Sequence, residues 1–258
     1  MWENQIQGIL KWFSDKKDPM NFVLFNVYQP SICIQTFGPD SVEADQALQK
    51  VDQMIALLVE KLKVHKLFDD VNIIITGIHG FVDITADKVV DITQYVPDPK
   101  LISGHSPVLN IQHTEKNDLT IYTNLLKAPQ EKFEIYIQNS IPDRFHYKHN
   151  DRVGAITLVA KEGFAFSDVW KEFKQLDAEH KRPASLDNIY GLSGYDNELD
   201  SMQSIIIMHG PGIQRSQVIM KALTRFNDIM IFILILGARP YQTSDKCCGC
   251  LSSSITSS

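Results

Sequence analysis

The chain has 258 residues, 44% of them hydrophobic and 22% charged, which suits one α/β domain or two small ones around a sizeable core. A net charge of −6 and an isoelectric point near 5.7 exclude the Lys/Arg surplus that binding to a nucleic-acid backbone requires. The longest apolar run, Ile229 to Leu236, is far short of the roughly 20 residues of a membrane helix, and Met1-Trp2-Glu3-Asn4 opens no signal peptide.

Ile6, Ile9, Leu10 and Phe13 share one face of a first helix. Phe22 to Val27 is nearly all apolar or β-favouring, the pattern of a strand buried on both faces. Asp40-Ser-Val-Glu43 has the form of a capping box. It opens the clearest helix, in which Ala44, Ala47, Leu48, Val51, Ile55, Leu58 and Leu62 recur at helical spacing. Val71 to Thr76 reads as the next strand and breaks at Gly77. Strand, crossover helix and strand form a βαβ unit, so the two strands are expected to be parallel and adjacent.

Further strands are expected at Pro107 to Gln112, Phe133 to Ile137, Val153 to Ala160 and Ser204 to Met208, with helices at Asp118 to Leu126 and Val218 to Phe226. Ile229 to Leu236 stays open between strand and helix. Lys161 to Leu192 reads as mostly loop. This alternation implies an α/β sandwich with helices on both faces of its sheet. Cys247-Cys248-Gly249-Cys250 and the serines after it read as a disordered tail over 241–258, and no Asn-x-Ser/Thr sequon occurs.

Ligands of such sheets bind beyond the carboxyl ends of the strands, which singles out Tyr28 to Gly38 and Gly77 to Phe81; Gly191 to Asn197 is a third candidate, since its small and turn-forming residues suggest a tight backbone path. The first runs Gln29-Pro30-Ser31-Ile32-Cys33-Ile34-Gln35-Thr36-Phe37-Gly38-Pro39, the second Thr76-Gly77-Ile78-His79-Gly80-Phe81, and the third Gly191-Leu192-Ser193-Gly194-Tyr195-Asp196-Asn197. In that order they resemble the metal-binding loops of the ectonucleotide pyrophosphatase/phosphodiesterase family, in the alkaline phosphatase superfamily. Those loops read Glu-Pro-Asp-x-x-Gly-His-x-x-Gly-Pro, Thr-Ser-Asp-His-Gly-Met and Gly-x-His-Gly-Tyr-Asp-Asn. Ile141-Pro-Asp-Arg-Phe-His-Tyr-Lys-His-Asn-Asp-Arg152, Ser201-Met202 through Pro211, and Asp228 to Pro240 resemble further family segments, the last of them a closing helix.

The resemblance covers roughly residues 6 to 240. It implies a partial phosphodiesterase domain over 1–240: an alkaline phosphatase-like three-layer α/β/α sandwich, with a mostly parallel sheet, lacking its N-terminal part. It also implies two zinc ions clamping an in-line displacement at phosphorus, with a threonine nucleophile that lies upstream of the matched region. Four of the five zinc ligands implied for this stretch are replaced, by Ser31, Gln35, Ile78 and Ser193, and His79 is retained. No cofactor is therefore expected. Cys33 could ligate a metal but has no partner at a recognisable spacing, so a free buried thiol is the expectation. Asp143, His146 and His149 look like a metal cluster in isolation, yet their family counterpart is structural. His105 and His209 have no partner in sequence, and Gly191-Leu-Ser193-Gly194 lacks the last glycine of a nucleophile elbow.

Three readings stand: a catalytically impaired relative binding a protein or nucleotide-like ligand in the old cleft; the C-terminal portion of an active metal-dependent phosphodiesterase; and a non-functional truncated duplicate. By sequence alone the chain reads as cytoplasmic, whereas the resemblance implies a secreted or membrane-anchored setting.

Overall fold

The structure, a computed structural model, describes residues 2–112, 117–213 and 231–237. The expected helix over Val218 to Phe226 and the cysteine-rich tail lie outside the described residues.

Helix α1 (Trp2–Ser14) buries Ile6, Ile9, Leu10 and Phe13, the four positions its period marks. Strand β1 (Phe22–Val27) follows, then the short helix α2 (Ser31–Phe37) and the long helix α3 (Val42–Val64). Helix α3 is capped by Ser41, whose hydroxyl accepts from the Ala44 amide at 3.1 Å, so the cap sits one residue beyond Asp40. Strands β2 (Val71–Thr76), β3 (Val82–Ile84) and β4 (Val89–Val90) come next, then the hairpin of β5 (Ile102–His105) and β6 (Val108–Ile111). After helix α4 (Asp118–Leu125) come β7 (Phe133–Ile137), β8 (Ile156–Ala160) and β9 (Ala165–Phe166). Helix α5 (Val169–Glu179), β10 (Tyr190–Leu192), β11 (Ile206–His209) and β12 (Ile231–Gly237) complete the order.

Two cores result. In the first, α1 and α3 lie on one face of the sheet β1-β12-β2-β11 and cover Val23, Phe25, Ile73, Ile75, Ile233 and Ile235. The second joins the sheet β5-β6-β8-β7 to α4 and α5 through Ile111, Leu125, Phe133, Leu158, Phe166 and Phe173. Among the described residues no helix is long and apolar enough to cross a membrane.

The α/β class holds, and five expectations change. Strands β1 and β2 point the same way but are not neighbours: β12 lies between them, antiparallel to both. With β11 also antiparallel to β2, the sheet is not mostly parallel, and among the described residues only the two-residue pairing of β4 with β9 is parallel. Residues 231–237 are thus a strand and not part of a closing helix, because alternating branched side chains at 233 and 235 seal a sheet interior. Strand β1 is buried on one face alone, with Phe22 and Leu24 each 54% exposed on the other. The stretch read as loop contains α5, where Val169, Phe173 and Asp177 occupy one buried stripe.

Helix α5 is tied to β5 by His105, which donates Nδ1–H to Asp168 and Nε2–H to Glu172, each at 2.7 Å. Both nitrogens donate, so the ring there is imidazolium. Burial pulls its pKa down, and the hydrogen bonds to Glu172 and Asp168 outweigh burial and leave it raised. A raised folded pKa gives stability that is complete below the unfolded value, about 6.5, and is lost as pH rises through the folded one. The side chain is 56% exposed, which keeps the contribution to roughly 0.5–1 kcal/mol. The His105→Gln variant is therefore expected to melt below the native chain at pH 5.5 and to converge with it by pH 9. Thermal melts across that range check this, and a gap that widens with pH would contradict it.

Candidate functional site

Three segments far apart in the chain meet around Ile34. Helix α2 carries the first loop, and Ser31 and Gln35 stand four residues apart on it, hence on one face. Strand β10 leads into the third loop and pairs antiparallel with β3, Tyr190 opposite Ile84 and Leu192 opposite Val82. Strand β3 itself begins directly after the second loop, whose Phe81 is buried with Ile34 and Ala44. The closest contact is between Gly191 and α2: a Cβ on Gly191 would lie 2.5 Å from the Ile34 carbonyl oxygen. Gly38, at φ +86°, closes α2 where a side chain would strike Ile189 and Asp83.

The second loop hangs from the segment before β11. The Gly77 amide donates to the Ile205 carbonyl at 3.0 Å, and the Gly80 amide to the Met202 carbonyl at 3.3 Å. The Thr76 hydroxyl lies 2.9 Å from the Gly77 carbonyl and 3.2 Å from that of Ile205, a donor both can share.

Behind the loops, Arg182 staples α2 to β10. Its guanidinium donates to the Thr36 carbonyl in the last turn of α2 and to the Ile189 carbonyl at 3.0 Å. It also lies over the rings of Phe37 and Tyr190, at 5.4 and 5.0 Å. Buried Asp177 sits 3.8 Å from Arg182 and accepts from the Tyr190 hydroxyl at 2.7 Å. Burial, together with that hydrogen bond, pushes the Tyr190 phenol up.

His79 donates Nδ1–H to the Gly80 carbonyl at 3.0 Å, which leaves Nε2 as the nitrogen with a free lone pair. Its ring meets Phe81 edge to face at 5.1 Å. That is the posture of a metal-ligating imidazole oriented by a backbone carbonyl. Around it the donors are weak. Ser31 is 2% exposed, and its hydroxyl has no hydrogen-bond partner among the described residues. Ile78 turns an apolar side chain partly to solvent, Gln35 and Ser193 are half-buried, and Ser193 follows a strand with no helix behind it, unlike a nucleophile elbow. Cys33 is a free thiol with its pKa pushed up by burial. Among the described residues no three His, Cys, Asp or Glu side chains gather as a metal-binding group.

The remaining candidates fall elsewhere. Asp143 is held by Lys148 at 2.7 Å, and His146 and His149 are exposed. His209 stacks on Phe68 with ring centroids 4.0 Å apart. His105, partnerless in the local sequence, has two carboxylates from α5. Sequence reasoning missed Arg182 and Asp177; the one signal was the spacing of Val169, Phe173 and Asp177, broken as an apolar stripe by the acid itself.

Because Gly191 touches α2 through backbone, the Gly191→Ala variant must push the two elements apart, at about 1–3 kcal/mol. A chemical denaturation midpoint matching that of the native chain would show that the contact does not hold the loops together.

A family model described as type I phosphodiesterase / nucleotide pyrophosphatase matches residues 1–196. The human protein named bis(5'-adenosyl)-triphosphatase ENPP4 is 30% identical over 248 residues, 94% of this chain and 50% of its own length. Among solved structures, murine ectonucleotide pyrophosphatase/phosphodiesterase 5 superimposes with a TM-score of 0.66 at 31% identity, covering 82% of this chain and 52% of that one. An inactive form of the same murine protein, in complex with AMP, gives a TM-score of 0.65 at the same identity and coverage. The chain spans about half the length of the curated relatives it matches.

Proposed function

The chain belongs to the type I phosphodiesterase/nucleotide pyrophosphatase family, and we propose that it is a member whose cleft binds a nucleotide-like ligand without hydrolysing it. The observation that carries this reading is the donor set of the three converging loops. Zinc is held by imidazole, thiolate or carboxylate, usually three or four at a site. The ligand positions offer Ser31, Gln35, Ile78 and Ser193 beside His79, a set with one good donor. Two divalent cations there would face one another with no carboxylate to neutralise them, and the buried neutral hydroxyl of Ser31 does not replace an aspartate. The residues present do not fit a two-zinc centre.

What supports binding is the upkeep of the frame. Gly38, Gly191 and the Arg182 staple hold the loops in place, though the ligand positions they would present are changed. The murine relative's complex with AMP points to a nucleotide as the ligand class. A second reading, in which these residues form part of an active hydrolase, draws on the orientation of His79; it needs carboxylates from outside the three loops.

Purified protein equilibrated with zinc is expected to retain fewer than two equivalents by elemental analysis, and to leave a nitrophenyl nucleotide ester unhydrolysed above a His79→Ala background. Two bound equivalents together with hydrolysis that needs His79 would establish the second reading. AMP is expected to bind calorimetrically in the presence of EDTA and with unchanged affinity on adding zinc; no heat of binding would remove the nucleotide from the proposal.

A further inference from the structure

The family segment Ile141 to Tyr147 meets the third loop through Arg144, which donates to both oxygens of Asp196. It roofs a cavity of about 640 Å³ on the outer face of the sheet β5-β6-β8-β7, away from the second core. The size falls in the range of small-molecule sites. Register places Val108 opposite Val159 and Asn110 opposite Thr157, so these four side chains share the face that forms the floor. The aromatic rings of Tyr136, Phe145, Tyr147 and Tyr195 make much of the wall. None of the residues at the four replaced ligand positions lines it.

The polar groups of the floor have a definite direction. The Thr157 hydroxyl, itself 2% exposed, donates to Asn110 Oδ1 at 2.9 Å, which fixes the amide. Asn110 Nδ2 then donates one hydrogen to the Tyr147 hydroxyl at 3.0 Å. The amide carries a second N–H, and the phenol that accepted keeps its own O–H. Two donors therefore stand side by side on the cavity lining, with no partner for either among the described residues. By contrast, Tyr136 donates its hydroxyl to Glu134, so it contributes its ring. At the rim, Arg144 is bound by both oxygens of Asp196, lies 3.6 Å from Glu198 and covers Phe145 at 4.2 Å. The guanidinium is thus already neutralised, and an incoming phosphate or carboxylate would have to displace Asp196.

We propose that this cavity, which shares Gly194 to Asn197 of the third loop but none of the four ligand positions, is a second binding site for a neutral planar ring bearing a carbonyl-type acceptor. The ring lies against the aromatic wall, and the acceptor takes the hydrogens of Asn110 and Tyr147. Because the rim excludes anions, the site selects against nucleotides, in contrast to the cleft.

Benzamide and benzoate, which share a ring and differ in charge, test this by saturation-transfer NMR on the full chain. Benzamide is expected to bind at about millimolar affinity, and benzoate at least tenfold more weakly. Tyr147→Phe removes one donor at a residue 39% exposed, where folding is not at stake, and is expected to weaken benzamide about three- to tenfold. Asn110→Ala is expected to lose more, provided its circular dichroism spectrum matches the native chain. No benzamide signal, equal binding of benzoate, or benzamide binding unchanged in Tyr147→Phe would each overturn the proposal.

Discussion

The approach of β10 to α2 sets the positions of everything else near the cleft. At Gly191 the two backbones come so close that one methyl group would collide with the Ile34 carbonyl, and on another side of Ile34 lies Phe81. One isoleucine thereby joins loops whose residues are separated by most of the chain. Packing at this density tolerates no slack, so the loops keep their relative positions whatever side chains they present. Arg182 adds direction to that packing. It takes up a carbonyl at the end of α2 and another just ahead of β10, and it rests between Phe37 and Tyr190.

The frame of these loops is thus distinct from the side chains they present. The glycines and prolines of the loops serve backbone geometry, and the ligand positions serve electrostatics. Clustered carboxylates without a cation repel one another and cost stability, and Ser31, Gln35, Ile78 and Ser193 place no carboxylate at those positions. Behind the site, Asp177 is buried with the Arg182 guanidinium 3.8 Å away, and its other oxygen accepts from the Tyr190 phenol.

Helices α1 and α3 were legible because their apolar residues recur at helical spacing and face a single sheet. The three loops were legible because glycine and proline mark them regardless of what they bind. Helix α5 escaped because Asp177 takes a core position where the pattern calls for an apolar residue, and its compensation comes from Tyr190 and Arg182, outside the helix. Strand β12 escaped for another reason: an apolar run says that a segment is buried and not which neighbours bury it. Strand β1 misled in the opposite sense, since Phe22 and Leu24 are apolar and yet face outward. The clamp on His105 joins residues 63 and 67 positions apart, beyond the reach of any local motif.

The placement of β12 also bears on how the protein comes into being. Strands β1 and β2 are made before β12, and neither can complete its hydrogen bonding until β12 enters between them. The middle strand of this sheet is made after the two strands it joins. Its early strands wait with open edges and apolar faces, the condition in which nascent chains aggregate or recruit chaperones. The chain order thus makes the joining of β1 to β2 depend on a later-made strand finding the gap between them.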